Sequence, residues 1–175
     1  GDVTADADGT VGIGYKALYA LTSGGKNVAV GNIAGSSITT GDSNVAIGHN
    51  AMDELVDGDR NIAIGHNAMG NVVGGTTSDG SSDNIFIGYQ SGGGAWADVA
   101  SINNVAIGNN SMDAALNGAT YNVGIGFNAL TDLTTADSTV AIGGLCLENI
   151  TTGTENTAVG TSAMRNSTTG SNNTA

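Results

Sequence analysis

The chain has 175 residues, 29 of them glycine and none proline, with only 11% charged and 4% aromatic residues. Glycine without proline excludes a collagen-like helix, and a 39% apolar share at so low a charge excludes a disordered chain. The net charge of −12, with cations only at Lys16, Lys26, Arg60 and Arg165, leaves no basic stripe for nucleic acid and nothing to draw the chain to an anionic membrane.

A five-residue motif recurs along the whole chain, and each copy is a predicted strand. The first is Thr10-Val11-Gly12-Ile13-Gly14. Asn27-Val28-Ala29-Val30-Gly31, Asn44-Val45-Ala46-Ile47-Gly48 and Asn61-Ile62-Ala63-Ile64-Gly65 follow. Then come Asn84-Ile85-Phe86-Ile87-Gly88, Asn104-Val105-Ala106-Ile107-Gly108 and Asn122-Val123-Gly124-Ile125-Gly126. Thr139-Val140-Ala141-Ile142-Gly143 and Asn156-Thr157-Ala158-Val159-Gly160 complete the nine, and Asn173-Thr174-Ala175 starts a tenth. The closing glycines are spaced by 17, 17, 17, 23, 20, 18, 17 and 17 residues. A fixed period of this length marks a solenoid, in which each repeat stacks on the next.

After each glycine comes a second apolar group, such as Ala17-Leu18, Ala51-Met52, Ala68-Met69, Ala129-Leu130, Cys146-Leu147 and Ala163-Met164. A third follows at Leu21, Ile38, Leu55, Val72, Leu133 and Ile150. Seventeen residues span at most about 56 Å of contour, enough for one flattened coil of two short strands and two turns. Helical spacing after each glycine offers a rival reading. The recurrent glycine, the Thr-Thr-Gly stretches and the asparagine-rich turns are poor helix formers and argue against it. The expected fold is all-β: a parallel β-solenoid with coils of about 17 residues. It forms one array over 1–175, nine full repeats plus a truncated tenth, with loop insertions near 70–83 and 92–103. The unfinished tenth copy suggests a piece of a longer array.

Equivalent residues in a solenoid stack into columns. The glycine column implies positive φ or close backbone approach. The asparagine column that opens each strand reads as a left-handed turn residue stacked into an amide ladder. A second ladder is expected at Asn50, Asn67, Gln90, Asn110 and Asn128. The first and third strand residues are β-branched and share one face; Val28 with Val30, or Val45 with Ile47, are expected to line the interior. The middle residue then points the other way, and at Ala29, Ala46, Ala63, Phe86, Ala106, Ala141 and Ala158 it is apolar where a solvated strand would carry polar side chains. Either the opposite wall of the same coil or a neighbouring chain covers it. Because Val and Ile already supply an inward face, these seven residues are assigned to an interface between chains. Self-association as a homotrimer or a filament follows, with lysine at Ala46 or Ala63 expected to dissociate it.

The insertions after Gly65 and Gly88 contain Gly74 to Asp83 and the sole tryptophan, Trp96. Insertions in solenoids emerge on one face and often carry binding, so Asp79, Asp83 and Trp96 form a candidate loop for a receptor or glycan; the alternative is a tolerated loop with Trp96 tucked over the coil edge. Catalytic chemistry is not indicated. His49 and His66 lie one repeat apart and should stack, but their column also holds Tyr15, Asn32, Tyr89, Asn109 and Phe127, which reads as a surface column. Asp6-Ala7-Asp8-Gly9 lacks the downstream glutamate of an EF-hand. No cofactor or metal is expected, no stretch has the apolar length of a membrane span, and the lone Cys146 rules out an internal disulfide.

The repeated Asn-Val-Ala-Ile-Gly followed by Asn-Ala or Ser-Met resembles the head repeats of YadA-like trimeric autotransporter adhesins. The longer unit ending in Thr-Thr-Gly, as in Asn156 to Gly170, is similar to repeats of bacteriophage tail-fibre proteins. The resemblance implies a left-handed β-roll, three chains side by side, and attachment as the role. The period of 17 departs from the adhesin heads. The expected function is the shaft or head of an extracellular, cell-surface or virion fibre, with a purely structural extracellular filament as the alternative.

Overall fold

The computed structural model describes residues 8–70, 80–96 and 99–175. Nine three-residue strands form one parallel sheet in chain order: β1 (Val11–Ile13), β2 (Val28–Val30), β3 (Val45–Ile47), β4 (Ile62–Ile64), β5 (Ile85–Ile87), β6 (Val105–Ile107), β7 (Val123–Ile125), β8 (Val140–Ile142) and β9 (Thr157–Val159). Register is kept throughout, so Val28 pairs Val45, Ala29 pairs Ala46 and Val30 pairs Ile47. The longer spacings do not shift it: Ile62 still pairs Ile85, and Ile85 still pairs Val105. A further parallel bridge joins Thr157 to Thr174. The chain is therefore an all-β parallel solenoid with coils of about 17 residues.

Among the described residues each coil contributes one strand, not two. Beyond the glycine the chain turns through left-handed residues at the second and fourth positions, such as Asn50 (φ 53°) and Met52 (φ 55°), or Asn128 (φ 53°) and Leu130 (φ 56°). Left-handed backbone costs about 1–2 kcal/mol for a residue with a side chain. Hydrogen bonds to the next coil offset it: Met52 N–H donates to Ala68 O at 3.0 Å, and Leu130 N–H to Cys146 O at 3.2 Å. The helix-like spacing in the sequence reflects these tight turns.

The closing glycine is fixed by contact between coils. At Gly65 (φ +140°), an added Cβ would lie 2.3 Å from the carbonyl oxygen of Gly88 one coil on. Two glycine backbones stacked this closely leave no room for any side chain.

The asparagine column forms the expected amide ladder by a different backbone route. The left-handed residue is the one before it, for example Ser43 (φ 61°) or Arg60 (φ 56°). Asn44 and Asn61 are instead buried. Asn44 Oδ1 accepts from Asn61 N–H at 2.9 Å, and its Nδ2 donates to Gly58 O at 2.7 Å. The pattern repeats from Asn61 to Asn84 and from Asn84 to Asn104. These amides satisfy backbone groups that a thin coil cannot hydrate. In the second column the residues do adopt positive φ, but the only amide-to-amide bond is Asn110 Nδ2 to Asn128 Oδ1 at 3.4 Å.

The strand faces are the reverse of those expected from the alternation. Ala29, Ala46, Ala63, Phe86, Ala106, Ala141 and Ala158 are buried inside their own chain. They belong to the core with Leu18, Met52, Met69, Met112, Leu130 and Leu147 from the turns and Leu21, Ile38, Leu55, Leu133 and Ile150 further on. At Gly124 the neighbourhood is explicit: a Cβ there would lie 3.3 Å from Leu130 Cδ1 and 3.3 Å from Met112 Cε. The coil is flat. Long side chains from the opposite wall fill it, and the strand can add little more than a methyl group. The valines and isoleucines are thereby turned outward.

Coil five tests that rule. Phe86 replaces the small middle residue, and Gly92 replaces the long side chain at the fourth turn position. An added Cβ on Gly92 would sit 2.5 Å from the Phe86 ring. Trp96 closes the space, edge-on to Phe86 at 5.4 Å between centroids, with its Nε1–H donating to Gly92 O at 3.0 Å.

Candidate functional site: the outward sheet face

Because the middle residues face inward, none of the seven is open to a second chain, and the surface the strands do present is made of their first and third positions. The first column runs Val11, Val28, Val45, Ile62, Ile85, Val105, Val123, Val140 and Thr157. The third runs Ile13, Val30, Ile47, Ile64, Ile87, Ile107, Ile125, Ile142 and Val159. Seventeen of these eighteen side chains are valine or isoleucine, and none is charged. They are half-buried or exposed, reaching 59% exposure at Ile13 and 60% at Val159. Eight inter-strand steps of about 4.8 Å make the strip roughly 38 Å long.

The next column outward, just past the glycines, contains Tyr15, Asn32, His49, His66, Tyr89, Asn109 and Phe127. His49 and His66 stack with centroids 5.0 Å apart and planes 7° from parallel; Tyr89 continues the stack at 5.5 Å and 17°. The sequence placed this stack correctly. It missed the aliphatic strip, although the pairing of Phe86 with Gly92 is a signal in the sequence that the middle residue faces the turn side chains.

Two of the three candidate loop residues, Asp83 and Trp96, are described, and each is engaged within the chain. Trp96 is 2% exposed and belongs to the core. Asp83 is held by Arg60 of the preceding coil, which donates from Nε at 2.6 Å and from Nη2 at 2.9 Å. That pair keeps the Asp83 carboxyl below its usual range and the Arg60 guanidinium above its own. Asp79 lies outside the described residues, as do Asp6 and Ala7.

Charged groups elsewhere serve the coils. Asp42 Oδ1 accepts from Gly25 N–H at 2.6 Å, and Asp59 Oδ1 from Asp42 N–H at 2.8 Å, so each carboxylate ties its coil to the one before. Burial raises the carboxyl of Asp53 to about 6, with Glu54 adding repulsion, and burial alone raises Asp113 to about 6. Burial likewise pushes the Cys146 thiol up; its Sγ donates to Ala158 O at 3.3 Å inside the core. Among the described residues, no three His, Cys, Asp or Glu come together as a metal-binding group. Compared with protein-family models, curated proteins and solved structures, the chain matches none.

Proposed function

We propose that this chain is a segment of an extracellular, cell-surface or virion fibre, the shaft or head of an attachment protein, with copies joined side by side along their length. The observation that carries this reading is the uncharged valine and isoleucine strip on the outer face of a regular rod. A chain of net charge −12 repels its copies almost everywhere else, so an uncharged apolar strip is where they can meet. A strip of roughly 38 by 10 Å is small for a stable two-chain contact, which needs about 800 Å² per partner. In a closed arrangement each chain meets two neighbours, so residues flanking the strip on both sides add to the contact. Three is the number implied by the resemblance to trimeric adhesin heads and tail-fibre repeats, and attachment to a receptor or glycan is implied by the same resemblance.

A purely structural extracellular filament is the second reading. It is favoured by the uniform stacking, in which all nine strands pair in chain order with the register unchanged. Electron microscopy of the purified chain separates the two. Short rods of uniform length and several chains' width support the fibre segment; long end-to-end polymers support the filament. Isolated particles one coil-width across would count against both.

A further inference from the structure

The two histidines have chemistry that the fold itself does not use. His49 and His66 are the only histidines in the chain, and both are exposed. Neither ring makes a hydrogen bond or ion pair with another described residue, so their ring nitrogens are free to bind something else. The backbone sets them one coil apart: Asn67 N–H donates to His49 O at 3.0 Å, which locks the register of the two turns. The two rings lie nearly parallel with their centroids 5.0 Å apart, so both imidazoles stand at one place on the surface.

We propose that His49 and His66 form a two-imidazole site for a divalent late transition metal of the Zn²⁺, Ni²⁺ or Cu²⁺ class. Imidazole nitrogens favour these ions, whereas Ca²⁺ and Mg²⁺ require oxygen ligands. Two nitrogens bound at about 2.1 Å in a tetrahedral sphere lie roughly 3.4 Å apart. Sharing one ion asks both rings to turn out of the parallel stack about χ1 and χ2 so that their in-plane lone pairs converge on it, a rotation open to exposed side chains. Because no third His, Cys, Asp or Glu among the described residues joins the pair, water fills the remaining positions in a single chain. The site stands on one chain and does not depend on the proposed assembly. The chain's net charge of −12 adds a general attraction for cations.

The test is calorimetric titration of the untagged chain with ZnCl2 and with NiCl2, beside MgCl2 as a control. Asparagine occupies this column naturally at Asn32 and Asn109, so His49→Asn and His66→Asn are expected to keep the fold, which circular dichroism checks. The expected result is micromolar binding of Zn²⁺ and Ni²⁺ but not Mg²⁺, weakened at least tenfold by either single substitution because chelation needs both rings. Absence of binding at millimolar metal would overturn the proposal. So would single variants that bind as tightly as the parent, since each ring would then act alone or the metal would sit elsewhere.

Discussion

At the scale of single residues, the molecule is governed by what fits between coils 4.8 Å apart in round numbers. The closing glycine has no alternative, because its neighbour's carbonyl occupies the space of a Cβ. Gly65→Ala is expected to cost roughly 3 kcal/mol or more, through steric overlap and an unfavourable φ together. Gly80→Ala, where an added Cβ meets nothing within 4 Å, should be close to neutral. Thermal or urea unfolding of the two variants checks the contrast.

Half-buried Asp53 and Asp113 give a second residue-scale test. Their folded-state carboxyls titrate at about 6, above the unfolded value near 3.9, so the folded state binds more protons between those values. Stability therefore falls as pH rises from about 4 to about 6, and stays lower above that window. Asp53→Asn or Asp113→Asn should raise stability at pH 7.5 by about 1 kcal/mol each, a figure already reduced for partial solvent access, or a few degrees in Tm. At pH 3.5, where the native carboxyls are protonated, the gain should vanish. A gain of equal size at both pH values would show that ionisation is not the cause.

At the scale of one coil, the deciding quantity is volume shared between the strand and the turn opposite. Ala46 faces a coil that carries Met52; Phe86 faces one that carries Gly92. Phe86→Ala should lose about 3–4 kcal/mol by opening a cavity beside Trp96. Adding Gly92→Met should recover part of that loss. Methionine already adopts positive φ at this position in Met52, Met69 and Met112, so the backbone permits the exchange. Chemical denaturation of the single and double variants measures the recovery, and a double variant no more stable than Phe86→Ala would refute the shared-volume account.

This same quantity explains what the sequence made legible and what it did not. The period, the strand positions, the glycine column and the stacking of asparagines into an amide ladder all follow from residue identity at fixed spacing, whereas the burial of those amides does not. Periodicity of two says that Val28 and Val30 share a face, but not which face. The usual preference for β-branched residues indoors pointed inward. It failed because Met and Leu from the turns had already filled the coil. That Trp96 could tuck over the coil edge was legible, but its packing against Phe86 was not, since that depends on the space left beside Phe86 in the same coil.

At the scale of the whole molecule, stacking turns a three-residue accident of facing into a continuous surface. One outward valine or isoleucine is unremarkable on a soluble protein, whereas seventeen in two aligned columns form a patch of the kind that marks an interaction site. Under the proposed assembly, the acidic residues elsewhere disfavour other contacts and leave that strip as the meeting surface. Lysine substitution should therefore act differently on the two faces. On the inner face, Ala63→Lys buries a charge among Met and Leu side chains and is expected to unfold the coil instead of dissociating copies. On the outer face, a lysine can reach water in the single chain but not in an assembled one.

The most direct measurement is the native mass of the chain by analytical ultracentrifugation, beside that of the double variant Ile64→Lys with Ile107→Lys. The outward strip predicts a multimer for the parent and a monomer for the variant, with the same circular dichroism spectrum. A monomeric parent at tens of micromolar, or a folded variant that keeps the parent's mass, would contradict it.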